Sequence, residues 1–166
     1  LLKGVETLSK NGGYIKPVLN ITIDGESIAY LCYTANYYNS CVNQNPMLIN
    51  HLKNEIKDYV KKDIEKCFNE MKNQLENKGY NVDLSSLNYD VNLQPRKIIL
   101  DIKRDVSIFK NEKSQRFNSF KSVVSHPLYD LAIVAQEITS QEAQYCNFES
   151  VGFMLLYNDF NIDRFK

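Results

Sequence analysis

The sequence has no tryptophan, only two histidines, four prolines and six glycines, and no excess of charge of either sign. Its 20 basic and 20 acidic side chains cancel, which removes the broad positive footprint that nucleic-acid binders carry. No apolar run approaches the roughly 18 residues that a membrane-spanning helix needs. The two histidines lie far apart and there is no C-x-x-C pair, so the ligand spacing of a zinc site is missing. No G-x-G-x-x-G, phosphate-binding loop or G-x-S-x-G is present. Carboxylates are scattered singly among lysines rather than paired for acid–base work. Neither histidine has a supporting motif that would activate a cysteine. His51 reads as a solvent-side residue at the start of a long helix, and His126 as a helix-start residue beside Pro127. The residues therefore assign no catalytic group, no metal and no cofactor.

What remains is an ordinary globular composition, 43% hydrophobic and 24% charged over 166 residues, enough for one domain with a real core. Leu1, Leu2, Val5 and Leu8 have helical spacing up to Ser9, where Asn11-Gly12-Gly13 stops the helix. Tyr14 to Ile23 alternates in the manner of a strand, with Pro17 favouring a sheet edge. Asp24-Gly25 is a two-residue turn, and Ser27 to Tyr33 the returning arm of a hairpin. Tyr33 to Pro46 is irregular and rich in asparagine and tyrosine.

The strongest periodicity follows. Ile49, Leu52, Ile56, Tyr59, Val60, Ile64, Cys67, Phe68, Met71 and Leu75 step by three and four, which predicts an amphipathic helix from Met47 to Asn77 ending at Lys78-Gly79. Its Ile56–Ile64–Cys67–Met71 face is expected to dock on a sheet. Leu87 to Leu93 and Ile98 to Ile108 alternate as strands of an antiparallel sheet with one wet face. Lys110 to Ser114 is a polar break, and Phe117 to Val124 fits strand or helix. Ser125-His126-Pro127 opens a second helix, with Ser125 or His126 near the N-cap and Pro127 in the first turn, and Leu128, Leu131, Ala132, Ala135, Ile138 and Ala143 give it a core face. Val151 to Tyr157 reads as a final strand. The fold class expected is α+β, an antiparallel sheet of four to six strands packed by one long and one shorter helix.

Four cysteines allow three pairings. Cys32 and Cys41 flank a short loop with little else to hold it, and are expected to be oxidised to each other. Cys67 falls on the core face of the long helix and Cys146 just past the second helix, so these two meet if the helices pack side by side. The plainer reading of Cys67 is a small buried hydrophobe. Tyr33, Tyr37 and Tyr38 lie in the irregular loop, where rigid amphipathic rings suit a protein–protein contact. The competing account turns them inward to fill a core without tryptophan. Asn20-Ile21-Thr22 is a glycosylation sequon, with Asn20 the acceptor if the protein is exported.

The succession Gly4-Val5-Glu6-Thr7-Leu8, Asn11-Gly12-Gly13-Tyr14-Ile15, a tyrosine-rich loop ending before Pro46, and an amphipathic helix containing Cys67-Phe68 resembles a group of uncharacterised exported proteins of small-genome archaea. Those proteins carry one N-terminal apolar anchor, somewhat like a pilin leader. The resemblance implies a missing anchor, from which the helix over residues 1–10 would continue, and a single extracytoplasmic domain over residues 1–166. A chain that starts at Leu1 and stops within 159–166 in mid-element is consistent with a piece of a longer precursor. Members usually have a cysteine ahead of the first helix, which this chain lacks, and the group transfers no catalytic residue.

The function expected is therefore a non-enzymatic cell-envelope or surface-structure protein that works through protein–protein contacts or self-assembly. It would have no nucleic-acid partner and meet a membrane only through a segment absent from this chain. The alternatives are a soluble ligand- or peptide-binding module and an enzyme of unrecognised type.

Overall fold

A computed structural model describes residues 1–36, 38–111, 113–160 and 162. The chain runs α1 (Leu2–Lys10), β1 (Asn20–Ile23), β2 (Glu26–Ala29), β3 (Cys32–Tyr33), β4 (Val42–Asn43), α2 (Leu48–Glu76), β5 (Asn81–Leu84), β6 (Asn88–Gln94), β7 (Lys97–Lys110), β8 (Lys113–Ser125), α3 (Leu128–Tyr145) and α4 (Ser150–Leu156). The fold is α+β, as expected. Every strand pairing is antiparallel: β1 with β2, β3 with β4, and β7 with β5, β6 and β8.

Strand β7 is the spine of the main sheet. Along one edge it pairs first with β6 through Lys97–Lys103 and then with β5 through Val106–Phe109, while β8 runs beside its other edge. The register shifts between Lys103 and Val106, a bulge at Arg104–Asp105. Ser85, between β5 and β6, serves that bulge. Its backbone N–H donates to the Asp105 carbonyl at 2.9 Å, its hydroxyl accepts from the Asp105 N–H at 2.9 Å, and its carbonyl accepts from Arg104 Nε at 3.0 Å. The break between β5 and β6 and the bulge in β7 are one irregularity. The sequence pattern missed β5, because Val82 and Leu84 are its only apolar residues.

Alternation puts Val82, Val91, Leu93, Ile98, Leu100 and Val106 into the core on one face of the sheet. Helix α2 lies over the β5 and β6 side of that face. Its buried residues are Leu48, Leu52, Ile56, Val60, Ile64 and Phe68, a single line stepping by four. Such a line turns about 40° around the helix axis per step, so its two ends meet different partners. Leu48 and Leu52 border a small cavity with Leu8 of α1 and Leu128 and Ala132 of α3. Phe68 meets Phe120 of β8 edge-on, ring centroids 5.2 Å apart.

This geometry corrects the expected docking face. Cys67 sits about 100° around the helix from Phe68 and is exposed rather than buried, and Met71 is only half-buried. An apolar groove of about 350 Å³ remains between α2 and β8, lined by Ile64, Cys67, Phe68, Met71, Ile102 and Phe120 among others.

Helix α1 forms where expected, with Val5 and Leu8 fully buried. Gly12 and Gly13 follow at φ +68° and +91°, which glycine adopts freely, and the Gly13 N–H closes onto the Leu8 carbonyl at 2.8 Å.

Two expected strands change. Tyr14 to Ile23 becomes a strand only from Asn20, because the Ile15 N–H donates to Glu55 Oε2 at 2.9 Å and the Tyr14 ring packs 4.2 Å from that of His51. Side chains of α2 hold this segment in place of a ladder. The returning arm Ser27 to Tyr33 splits into β2 and β3. Val151 to Leu156 lie in the helix α4, with Tyr157 as its C-cap residue, and do not form a strand. The start of α4 is capped by the Glu149 carboxylate accepting from the Val151 N–H at 3.2 Å, and a short apolar run carries no period that separates the two structures. Phe117 to Val124 lies wholly within β8. Among the described residues no helix is long and apolar enough to cross a membrane.

Candidate interaction surface

The irregular loop is built as a closed hairpin. Cys32 opposes Asn43 and Tyr33 opposes Val42 in the two-residue ladder of β3 and β4, and Cys32 is joined to Cys41 by a disulfide. A two-residue ladder is too short to hold itself in water, so the covalent closure and α3 hold it. The Cys32 sulfur lies 3.8 Å from the Thr139 carbonyl. Asn43 Nδ2 donates to Thr139 Oγ1 at 3.5 Å, and Gln136 Nε2 donates to the Pro46 carbonyl at 2.9 Å. Thr139 is a buried polar residue, and its own hydroxyl donates to the Gln136 carbonyl at 3.1 Å.

This anchored loop points apolar and aromatic groups outward. Tyr38 is fully exposed, Val42 is 65% exposed and Met47 64%. Tyr33 is just over one third exposed and packs against Tyr30, ring centroids 5.5 Å apart. Tyr38 also has φ +67°, a conformation that a bulky L-residue adopts only when its surroundings impose it, at a cost of about 1–3 kcal/mol. The exposed Tyr38 ring thus sits on a backbone of positive φ inside a disulfide-closed loop. Tyr37 lies outside the described residues.

The surface extends beyond the loop. The Tyr30 N–H donates to the Leu19 carbonyl at 3.0 Å, which joins the loop to the β1–β2 hairpin. There Val18 is 96% exposed, and Leu19 and Ile21 are each more than one third exposed. Sequence reasoning had missed Val18, Leu19, Val42 and Met47. Of the alternating residues expected on one strand face, Ile15 packs against the core, whereas Leu19 and Ile21 are exposed.

The remaining sequence candidates separate. Cys67 and Cys146 are both free and exposed, so the second pairing does not form. Cys67 rims the α2–β8 groove, and Cys146 closes α3 in a left-handed conformation at φ +52°. Asn20 is exposed at the start of β1, with its Nδ2 donating to the Pro17 and Val18 carbonyls at 3.1 and 3.2 Å. His51 is half-buried rather than on the solvent side, its Nε2 3.0 Å from the Gly13 carbonyl. The Nδ1 of His126 accepts from the Leu128 N–H at 3.1 Å, a capping role at the start of α3. Pro127 lies just outside that helix rather than within its first turn. Among the described residues no three His, Cys, Asp or Glu side chains converge in a way that could hold a metal ion.

No protein-family model matches the chain, and no curated protein or solved structure matches it either.

Proposed function

We propose that this is an extracytoplasmic domain that works by protein–protein contact, with the Cys32–Cys41 loop and the adjoining β1–β2 hairpin as its contact surface. The observation that carries the reading is the strained, fully exposed Tyr38 in a loop that a disulfide and α3 hold in shape. A pre-shaped loop loses little entropy on binding, and an amphipathic ring supplies contact area at low cost. Disulfides persist in oxidising compartments, which supports a place in the cell envelope, in line with the archaeal exported proteins that the chain resembles. Net neutrality favours association of like subunits, since no long-range repulsion opposes it.

Photo-crosslinking in the producing cells tests the reading. A photoreactive residue at position 38 should give discrete protein adducts that mass spectrometry identifies as a second copy or as another protein. The same residue at Lys62, exposed on α2, should give few. Equal or absent adducts at the two positions would overturn the assignment.

A further inference from the structure

Helix α4 and the residues after it form a pocket against α3. The Phe153 and Tyr157 rings lie one turn apart with centroids 4.6 Å from each other, and Phe148 braces Phe153 from behind at 5.4 Å. The chain then turns back, with the Phe160 N–H donating to the Tyr157 carbonyl at 3.1 Å and Asp159 Oδ2 lying 3.6 Å from Arg96 Nη2. Between this segment and α3 lies a pocket of about 570 Å³. Its described lining includes Tyr129, Phe153, Tyr157 and Phe160 together with Asp130 and Glu137, and among the described residues no lysine or arginine lines it.

Asp130 and Glu137 are seven residues apart on α3, two turns along one face. Each accepts a hydrogen bond from a neutral donor. Asp130 Oδ2 accepts from the Arg96 backbone N–H at 3.0 Å, and Glu137 Oε1 accepts from Gln141 Nε2 at 2.7 Å. Among the described residues neither carboxylate has a cationic partner within 4 Å; the guanidinium of Arg96 reaches Asp159 instead. Among the described residues, two carboxylates without a cationic partner thus line the same pocket as four aromatic side chains. A small anion is repelled there, and an uncharged apolar ligand would leave the carboxylates unpaired. A metal ion finds too few oxygen ligands. What satisfies both sets of walls is an organic cation, whose charge meets the carboxylates and whose alkyl or planar body stacks on the rings.

We infer that the α3–α4 pocket binds a monovalent organic cation, an alkylated ammonium or a guanidinium group, between the aromatic rings of α4 and the carboxylates of α3. The group arrives either on a free small molecule or as a lysine or arginine side chain of another protein.

The test is titration of the full chain, followed by amide NMR shifts, with four probes. These are tetramethylammonium, arginine amide, an arginine- and lysine-containing peptide, and 3,3-dimethylbutan-1-ol as an uncharged isostere of a quaternary ammonium. Shifts should centre on Tyr129, Asp130, Glu137, Phe153 and Tyr157. Saturation by the small cations supports a free ligand, and saturation by the peptide alone supports a side chain of a partner. Glu137→Gln and Tyr157→Leu both alter exposed side chains, so their melting temperatures should match that of the wild type. Each should weaken binding by about 3–30-fold, the range set by one cation–π or charge contact. The inference is overturned if no cationic probe shifts these residues, if the alcohol binds as well as its charged isostere, or if both variants bind unchanged.

Discussion

Gly4 of α1 lies against the ring of Tyr59 on α2, so closely that a Cβ at position 4 would stand 2.5 Å from both Cδ1 and Cε1 of that ring. The contact sets the approach of α1 to α2, and Val5 and Leu8 are fully buried on the same helix. Glycine inside an exposed helix costs about 1 kcal/mol relative to alanine, so Gly4→Ala would stabilise a free α1. In this protein it should destabilise instead, because overpacking costs about 1–3 kcal/mol. Thermal unfolding of Gly4→Ala, Tyr59→Ala and the double variant checks this. The double variant should lose less stability than the sum of the two single ones, and a simple sum would show that the ring does not oppose the methyl group.

The α2 face offers a graded comparison. Ile56 is 1% exposed, whereas Ile64 borders the α2–β8 groove. Ile56→Ala should fall in the upper part of the range of about 2–5 kcal/mol for such truncations, and Ile64→Ala in the lower part, because water or side chains can enter the space it leaves. Cys67→Ser, at an exposed position, should change stability by less than about 0.5 kcal/mol. Chemical denaturation of the three variants gives the order. A large loss for Cys67→Ser would restore it to the core.

Removing the Cys32–Cys41 bridge tests how the loop is held. Closing about ten residues is worth up to about 2–3 kcal/mol by chain entropy. Cys32→Ser/Cys41→Ser should lower the melting temperature and expose the amides of residues 32–43 to hydrogen exchange, with α2 and the main sheet still protected. Unchanged exchange in the loop would mean that α3 alone suffices to order it.

His126 gives the folded state a pH dependence. Burial lowers its pKa below the ordinary imidazole value, with Glu6 opposing this in part, and the neutral ring is the form that accepts the Leu128 N–H. The unfolded chain takes up the proton first as pH falls through about 6.5. The stability contributed by this group is therefore complete above that pH and is lost as pH falls towards the folded value. His126→Asn keeps a capping acceptor without a titrating ring. The fall in melting temperature between pH 7.5 and pH 5 should be smaller in the variant, and equal falls would remove His126 from the account.

The sequence by itself determined the elements whose pattern repeats along the chain. The helix from Leu48 to Glu76 was legible because its apolar residues recur every three or four positions over eight turns, and β6 and β7 because theirs alternate. The stop at Gly12-Gly13 was legible because few residues tolerate positive φ. The Cys32–Cys41 bridge was within reach because its two ends are close in sequence.

Only the tertiary structure decided which side of each element meets another. Cys67 shares the apolar stripe of α2, yet is exposed because the buried line steps by four and leaves it at the edge of a sheet only partly covered. Leu19 and Ile21 alternate as core residues do, yet both are exposed and neither joins the core cluster. Val151 to Leu156 became helical because so short an apolar run fits either periodicity, and the Glu149 cap and the packing of Phe153 against Phe148 favoured one. Periodicity reports which side of an element is apolar; what covers that side depends on contacts between residues far apart in the chain, such as Gly4 with Tyr59 or Phe68 with Phe120, which a linear pattern does not contain.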